Sequence, residues 1–396
     1  MIDRLWGPVP RHIPRRRFSR EDPMMAVHFE TFASAREVGG EVWNGLAADA
    51  NPMMEWEYFC ALEESGSVGP EKGYFPAHLV LYCDDRPVAL APLYRRDRAW
   101  VEFGDGGLIE FLSQLSGLPY QRGLVGAVPF TPVPGYRFLC LGDRSPLEIF
   151  ALMLDEIDRL CEAQDLSTSR IYFVASRGPA LRHLLLQRGY TNLTAGYTLW
   201  FNRGYLSFND YLGSFKSSRR TKIKREIRAI QDAGISFEML DGREASQSDF
   251  LEMHRLYEKT WHKHMGNGLR PFLNGSFFRM LGDSFRHRVS FSVAMRGRRR
   301  LAMALFYHKA AELYGRYWGC TEEIPFLHFS SCYYFPIRHA IDRGFQMMDP
   351  GFGGEHKLIR GYETVPVHHF IKFHGERKRR VAAAILNRLQ QVPGKG

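Results

Sequence analysis

The stretch PGFGGEHKLIR at residues 350–360 gathers the residue types that acyl chemistry needs. Gly351, Gly353 and Gly354 let backbone amides approach a ligand closely, because no Cβ stands in the way. Glu355, His356 and Lys357 then set a carboxylate, a titratable imidazole and a cation side by side. Moving an acyl group onto an amine requires a base to take the amine proton and a donor to hold the tetrahedral oxyanion. Glu355 or His356 can be the base, and Lys357 or the loop amides can hold the oxyanion. The same tripeptide also reads as a polar turn hinged on glycines, so its role depends on what other elements bring to it.

A second chemistry-bearing segment lies upstream. Between Phe215 and Arg228 there are seven basic residues and one acid, Glu226. On a helix, Lys216, Arg219, Arg220, Lys224 and Arg228 share much of one face, while Ile223, Ile227 and Ile230 mark a buried one. Clustered Arg and Lys neutralise phosphates, which makes Arg219, Arg220 and Lys224 candidate ligands of an anionic donor or acceptor. A plain solvated helix face is the other reading.

The elements that must position these residues follow from hydrophobic periodicity. Residues 78–103 and 290–318 each read as strand, polar turn, strand, charged turn, aromatic strand. Two such meanders about two hundred residues apart, each beside helical stretches, suggest two copies of one α/β unit. Helices are expected at 52–66, 146–164, 178–190, 207–234, 249–264, 274–286 and 327–344, the last kinked by Pro336. Strands are expected at 170–176, from 190 to Phe201, and at 345–349. Residues 106–135 read as loop-rich, with a rigid stretch around Pro129, Pro132 and Pro134. The division is 1–26 as a poorly ordered extension, 27–203 as the first unit, 204–375 as the second, and 376–396 as a basic C-terminal helix and tail. In this frame residues 351–357 border the cleft of the second unit, near the end of the 345–349 strand, with Arg316 and Tyr333 across from them.

Composition excludes several classes. The chain has 396 residues, 45% apolar, enough for two cores at the ordinary domain size of about 150 residues. No apolar run approaches the ~20 residues of a membrane-spanning helix. Six cysteines without a CxxC pair fit no zinc template and suit a reducing, cytoplasmic setting. His262 and His264 are two apart, on different faces of a helix, so metal ligation is not expected there. The formal charge of +10 agrees with an anionic partner, and the basic C-terminal helix allows contact with a membrane surface.

Four blocks carry a family resemblance: ALEESGSVG at 61–69, VPFTPVPGYRFL at 128–139, LHFSSCYYFPI at 327–337 and GFGGEHKLIRGY at 351–362. They resemble the signature blocks of a bacterial family of N-acyltransferases of the peptidoglycan biosynthesis or recognition type. That family lies within the Gcn5-related acetyltransferase superfamily and is similar to the Fem-type aminoacyltransferases. The resemblance covers most of residues 27–375 and extends to the basic segment at 218–238. Ser330 stands where the family usually has an acid, and Gly353 where it usually has Gln. The resemblance implies an α/β fold of two tandem acetyltransferase-like units with mixed, largely antiparallel sheets. It implies N-acyl or aminoacyl transfer to an amine, such as that of a cell-wall precursor, with no tightly bound cofactor. The donor would be an acyl-CoA or an aminoacyl-tRNA, which makes tRNA a further partner. The Q/RxxGxG/A pyrophosphate loop of simple acetyltransferases is absent from both halves. Catalysis is then expected from Glu355, His356 and Lys357, and substrate binding from Arg316, His328, Tyr333, Arg360, Arg219, Arg220 and Lys224. The alternative is a non-catalytic binding protein for a cell-wall precursor or RNA, using the same basic surface.

Overall fold

A computed structural model describes residues 16–17, 26–98, 103–140, 146–175, 179–266 and 268–391. Most of the extension expected at 1–26 lies outside the described residues. Among the described residues the strands form one sheet of eleven and one of five. Across the large sheet the order is Ile235–Asp241, Val289–Arg296, Arg299–Lys309, Glu312–Cys320, Met347–Asp349, Thr191–Phe201, Glu363–Phe373, Thr168–Ala175, Gly123–Gly126, Leu93–Arg96 and Tyr74–Pro76. Two neighbouring pairs are parallel, Glu312–Cys320 with Met347–Asp349 and Gly123–Gly126 with Thr168–Ala175, and the rest are antiparallel. The fold is therefore mixed α/β with largely antiparallel sheets.

The second meander forms as its alternation dictates. Val289–Arg296, Arg299–Lys309 and Glu312–Cys320 are consecutive antiparallel neighbours. The first meander differs. Arg86–Ala91 pairs with His78–Cys83 in the small sheet, and the chain then crosses to the large sheet as Leu93–Arg96. Pro92 sits at the crossing, where its missing N–H cannot continue a ladder. The aromatic end of that segment, residues 99–102, lies outside the described residues.

Three other local outcomes refine the sequence reading. Residues 106–135 hold a helix, Leu108–Ser116, whose C-cap Gly117 is left-handed, and the strand Gly123–Gly126. Ser207 caps a short helix, Phe208–Gly213, and the chain breaks before the basic helix Ser217–Asp232. Before Pro336 the helix of 327–342 widens into a π-turn at Ser330–Tyr334. Proline supplies no amide to the turn before it, and wider turns of this kind absorb such a gap.

The units are joined by an exchange of strands. Glu363–Phe373, which falls within the expected second unit, inserts between Thr168–Ala175 and Thr191–Phe201 of the expected first. Thr191–Phe201 in turn reaches the second unit, pairing Trp200 with Met348 and Phe201 with Met347. The helix Gln247–Met265 packs Phe250, Met253 and Leu256 with Met303 and Leu305 on one face of the second unit. The basic helix and the 327–342 helix bury Ile223, Ile337 and Ala340 with Ala304, Phe306 and Leu313 on the other.

Candidate functional site

The site opens where two parallel strands part. Glu312–Cys320 and Met347–Asp349 pair only from Glu312 and Met347 to Tyr314 and Asp349. Immediately beyond, the ladder to Arg299–Lys309 shifts register: Leu305 opposes Tyr317 and Phe306 opposes Gly315, so Arg316 is the extra residue of a β-bulge. A bulge bends its strand and redirects its side chains. A cleft of about 520 Å³ fills the gap. Its walls are Tyr257, Trp261 and His264 from the Gln247–Met265 helix, Arg316–Trp318 from the bulged strand, His328, Cys332 and Tyr333 from the π-turn region, and the loop from Pro350 to Lys357. None of its lining residues is a carboxylate.

The floor is a buried charge network. Arg316 and Asp349 are both almost wholly buried, with an Arg316 nitrogen 2.8 Å from Asp349 Oδ2. Asp349 Oδ1 also accepts from the Gly351 amide at 2.8 Å, which turns the loop over the strand end. The Tyr197 hydroxyl lies 3.0 Å from both Asp349 oxygens and 3.0 Å from the Pro132 carbonyl. The proline-rich loop of the first unit thus supports the floor of the second unit's cleft. Despite its burial, Arg316 is held above the ordinary guanidinium range by Asp349 and the neighbouring Tyr197.

Lys357 is buried at the cleft edge, its Nζ donating to the Gly351 carbonyl at 2.6 Å. Burial pulls its ammonium down to about 8, with Asp349 opposing and Arg316 adding to the shift. The His356 ring lies against Gly354, where an added Cβ would come 2.5 Å from its Cε1, and Gly354 has a φ of 90°. Only glycine meets both demands. His356 Nε2 lies 3.0 Å from the Tyr333 hydroxyl. Burial, then Arg360 and Lys357, lower the His356 imidazole below its usual value. His328 stands beside it and is pushed to about 4 by burial and the neighbouring cations. Both rings are neutral near pH 7, and burial keeps the Tyr333 phenol protonated. The arrangement offers a neutral imidazole as proton acceptor, a lysine pulled down to about 8 and the Arg316–Asp349 pair as an anchor, inside aromatic walls.

The structure brings His356, Lys357, Arg316, His328 and Tyr333 to one cleft. The side chain of Glu355 lies outside the described residues. Arg360 does not line the cleft. Its guanidinium donates to Glu226 at 2.9 Å, to the Tyr334 hydroxyl at 2.8 Å and to the His356 carbonyl at 2.8 Å, with Phe329 3.6 Å away. It holds the backbone of His356 and ties the loop to the basic helix. Arg219, Arg220 and Lys224 also lie apart from the cleft lining, the first two half-buried and the third exposed. Sequence reading did not single out Asp349, Tyr197, Tyr257, Trp261, Tyr317 or Trp318. The aromatic density of 314–318 and the acid ending the 345–349 strand were the available signals. Among the described residues, no three His, Cys, Asp or Glu side chains come together as a metal site.

A family model described as FemAB-like, peptidoglycan biosynthesis/recognition, matches residues 34–393. No curated protein matches the chain by sequence. Among solved structures, FemX is similar at TM-score 0.55 and 11% identity, over 88% of this chain and 98% of that one. A conserved protein of unknown function from Bacteroides thetaiotaomicron VPI-5482 is similar at TM-score 0.51 and 9% identity, over 87% and 99%. At these identities the likeness is one of fold.

Proposed function

The chain belongs to the FemAB-like family of peptidoglycan biosynthesis and recognition, and from that premise we propose that it is an N-acyl- or aminoacyltransferase working in the cleft beside Asp349. The observation that carries this reading is the neutral His356 imidazole beside buried Lys357, in a cleft whose lining holds no carboxylate. An anionic donor, an acyl-CoA or an aminoacyl-tRNA, is drawn to such a cation-bearing site. Its carbonyl would lie near Lys357 and the Gly351–Gly354 amides, which hold the oxyanion as the tetrahedral intermediate forms. The acceptor amine, for which we propose a peptidoglycan precursor, attacks the carbonyl carbon and gives its proton to His356. Collapse expels the thiol or the tRNA hydroxyl, which takes that proton back. Tyr333 holds the imidazole, and the Arg316–Asp349 pair fixes the floor beneath it. We place this reaction in the cytoplasm, where both donors are made.

The test is transfer of labelled acyl groups from acetyl-CoA or from aminoacyl-tRNA to a precursor pentapeptide bearing a free amine. His356→Ala should lower kcat by a factor on the order of 10²–10⁴ while leaving precursor binding nearly unchanged. Precursor binding that persists with no transfer from either donor would instead support the binding-protein reading.

A further inference from the structure

A second cavity lies on the other side of the π-turn, away from the cleft. It measures about 460 Å³ and is walled by Ile227 and Ile230 of the basic helix, Ile235 and Phe237 of the adjacent strand, and Phe335. Its polar groups lie mainly along the opposite helix, where Ser330, Tyr334 and Arg338 recur every four residues. Ser330 is 4% exposed, and its hydroxyl has no hydrogen-bond partner although it borders this cavity. A buried hydroxyl without a partner costs on the order of 1–3 kcal/mol, so a group that satisfied it would bind with that gain. Arg338 is exposed at the rim, its guanidinium 4.6 Å over the Phe208 ring. No acid lines the cavity. The basic helix adds charge beside it. By helical spacing Arg220 and Lys224 lie on the same stripe as Ile227 and Gln231, both of which line the cavity.

From this juxtaposition we infer that the cavity binds an anionic amphiphile: one hydrocarbon chain against the isoleucines, its carboxylate or phosphate head on Arg338, and a hydrogen-bonding atom at Ser330. The hydrocarbon chain replaces water on the apolar walls. The head group gains a charge-assisted bond at a rim that already carries a surplus of positive charge. This gives the basic face of residues 217–232 a ligand without placing it in the catalytic cleft. The two cavities share one turn, since Ser330 and Tyr334 face this one and Cys332 and Tyr333 face the other.

Binding of dodecyl phosphate and dodecanoate to the full chain, below their micelle concentrations, tests the inference by calorimetry. Dodecanol serves as the neutral comparison. Saturable binding of the anions is expected, with dodecanol weaker. Arg338→Gln, an exposed change that should leave the thermal midpoint unaltered, should weaken the anions about tenfold and leave dodecanol unchanged. Ile227→Trp, which fills the cavity from a half-buried wall, should abolish binding of all three. Co-sedimentation with vesicles of phosphatidylglycerol in phosphatidylcholine that is lost in both variants, without binding of the free amphiphiles, would support the same site with a membrane lipid as source. The inference is overturned if neither free amphiphiles nor vesicles bind, or if binding is the same in Arg338→Gln as in the parent protein.

Discussion

Lys357 carries its ammonium into a site where burial opposes charge, and the sign of that opposition is testable. The unfolded chain holds this proton up to its ordinary value near 10.5, whereas the folded chain releases it near 8. Between those values the unfolded state binds more protons, so this group's contribution to stability rises with pH across that window. Below pH 8 both states are protonated and the full cost of burial stands, on the order of 3 kcal/mol. The bond to Gly351 offsets roughly 1 kcal/mol of it. Lys357→Met should therefore raise the urea midpoint at pH 7, with the advantage fading as pH climbs from 8 to 10.5, and it should lose transfer activity. Asp349 poses the reverse case. Asp349→Asn leaves the buried Arg316 guanidinium without its counter-charge. It should cost about 3–5 kcal/mol in chemical denaturation. A loss under about 1 kcal/mol would mean that the pair is not the anchor of the cleft floor.

At the scale of elements, the basic helix does two separable things. Its buried acid, Glu226, faces inward and receives Arg360 from the loop that carries His356. Its cations face outward. Glu226→Gln should therefore be costly, about 3–5 kcal/mol, because it strands a buried arginine. It should also lower turnover, because Arg360 holds the His356 carbonyl. Alanine at Arg219, Arg220 or Lys224 should change stability by no more than about 0.5 kcal/mol each. Denaturation curves of the four variants side by side check this contrast. Equal effects would show that the clamp carries no special weight.

Over the whole molecule, the exchange of the last strand decides what can fold alone. Glu363–Phe373 makes ladder contacts on both sides within the first unit, to Thr168–Ala175 and to Thr191–Phe201. A fragment of residues 26–203 lacks that strand and exposes two long unpaired edges. It should show no cooperative thermal transition by circular dichroism. The fragment 204–391 carries the strand but lacks both partners, and it should fare no better. A cooperative melt of either fragment at the temperature of the intact chain would mean that the seam contributes little.

What the sequence determined by itself was local. Periodicity marked the strands of 289–320, the helices flanking them and the buried stripe of the basic helix, because apolar spacing reports which face of an element leaves water. Residue chemistry marked the loop at 351–357, because glycines beside an acid, an imidazole and a cation are read from neighbours in the chain. Tertiary structure alone decided which distant partners meet. Tyr197 and Asp349 lie on strands about 150 residues apart in sequence, and Pro132 reaches them from a third place. Arg360, one of several cations in its segment, became a clamp because Glu226 lay across from it once the helix docked. Pro92 visibly breaks a ladder, but only the assembled sheets show that the chain uses the break to change sheet. The strand exchange left no periodic trace, since a strand's alternation records that one face is buried and not which neighbour lies at its edge.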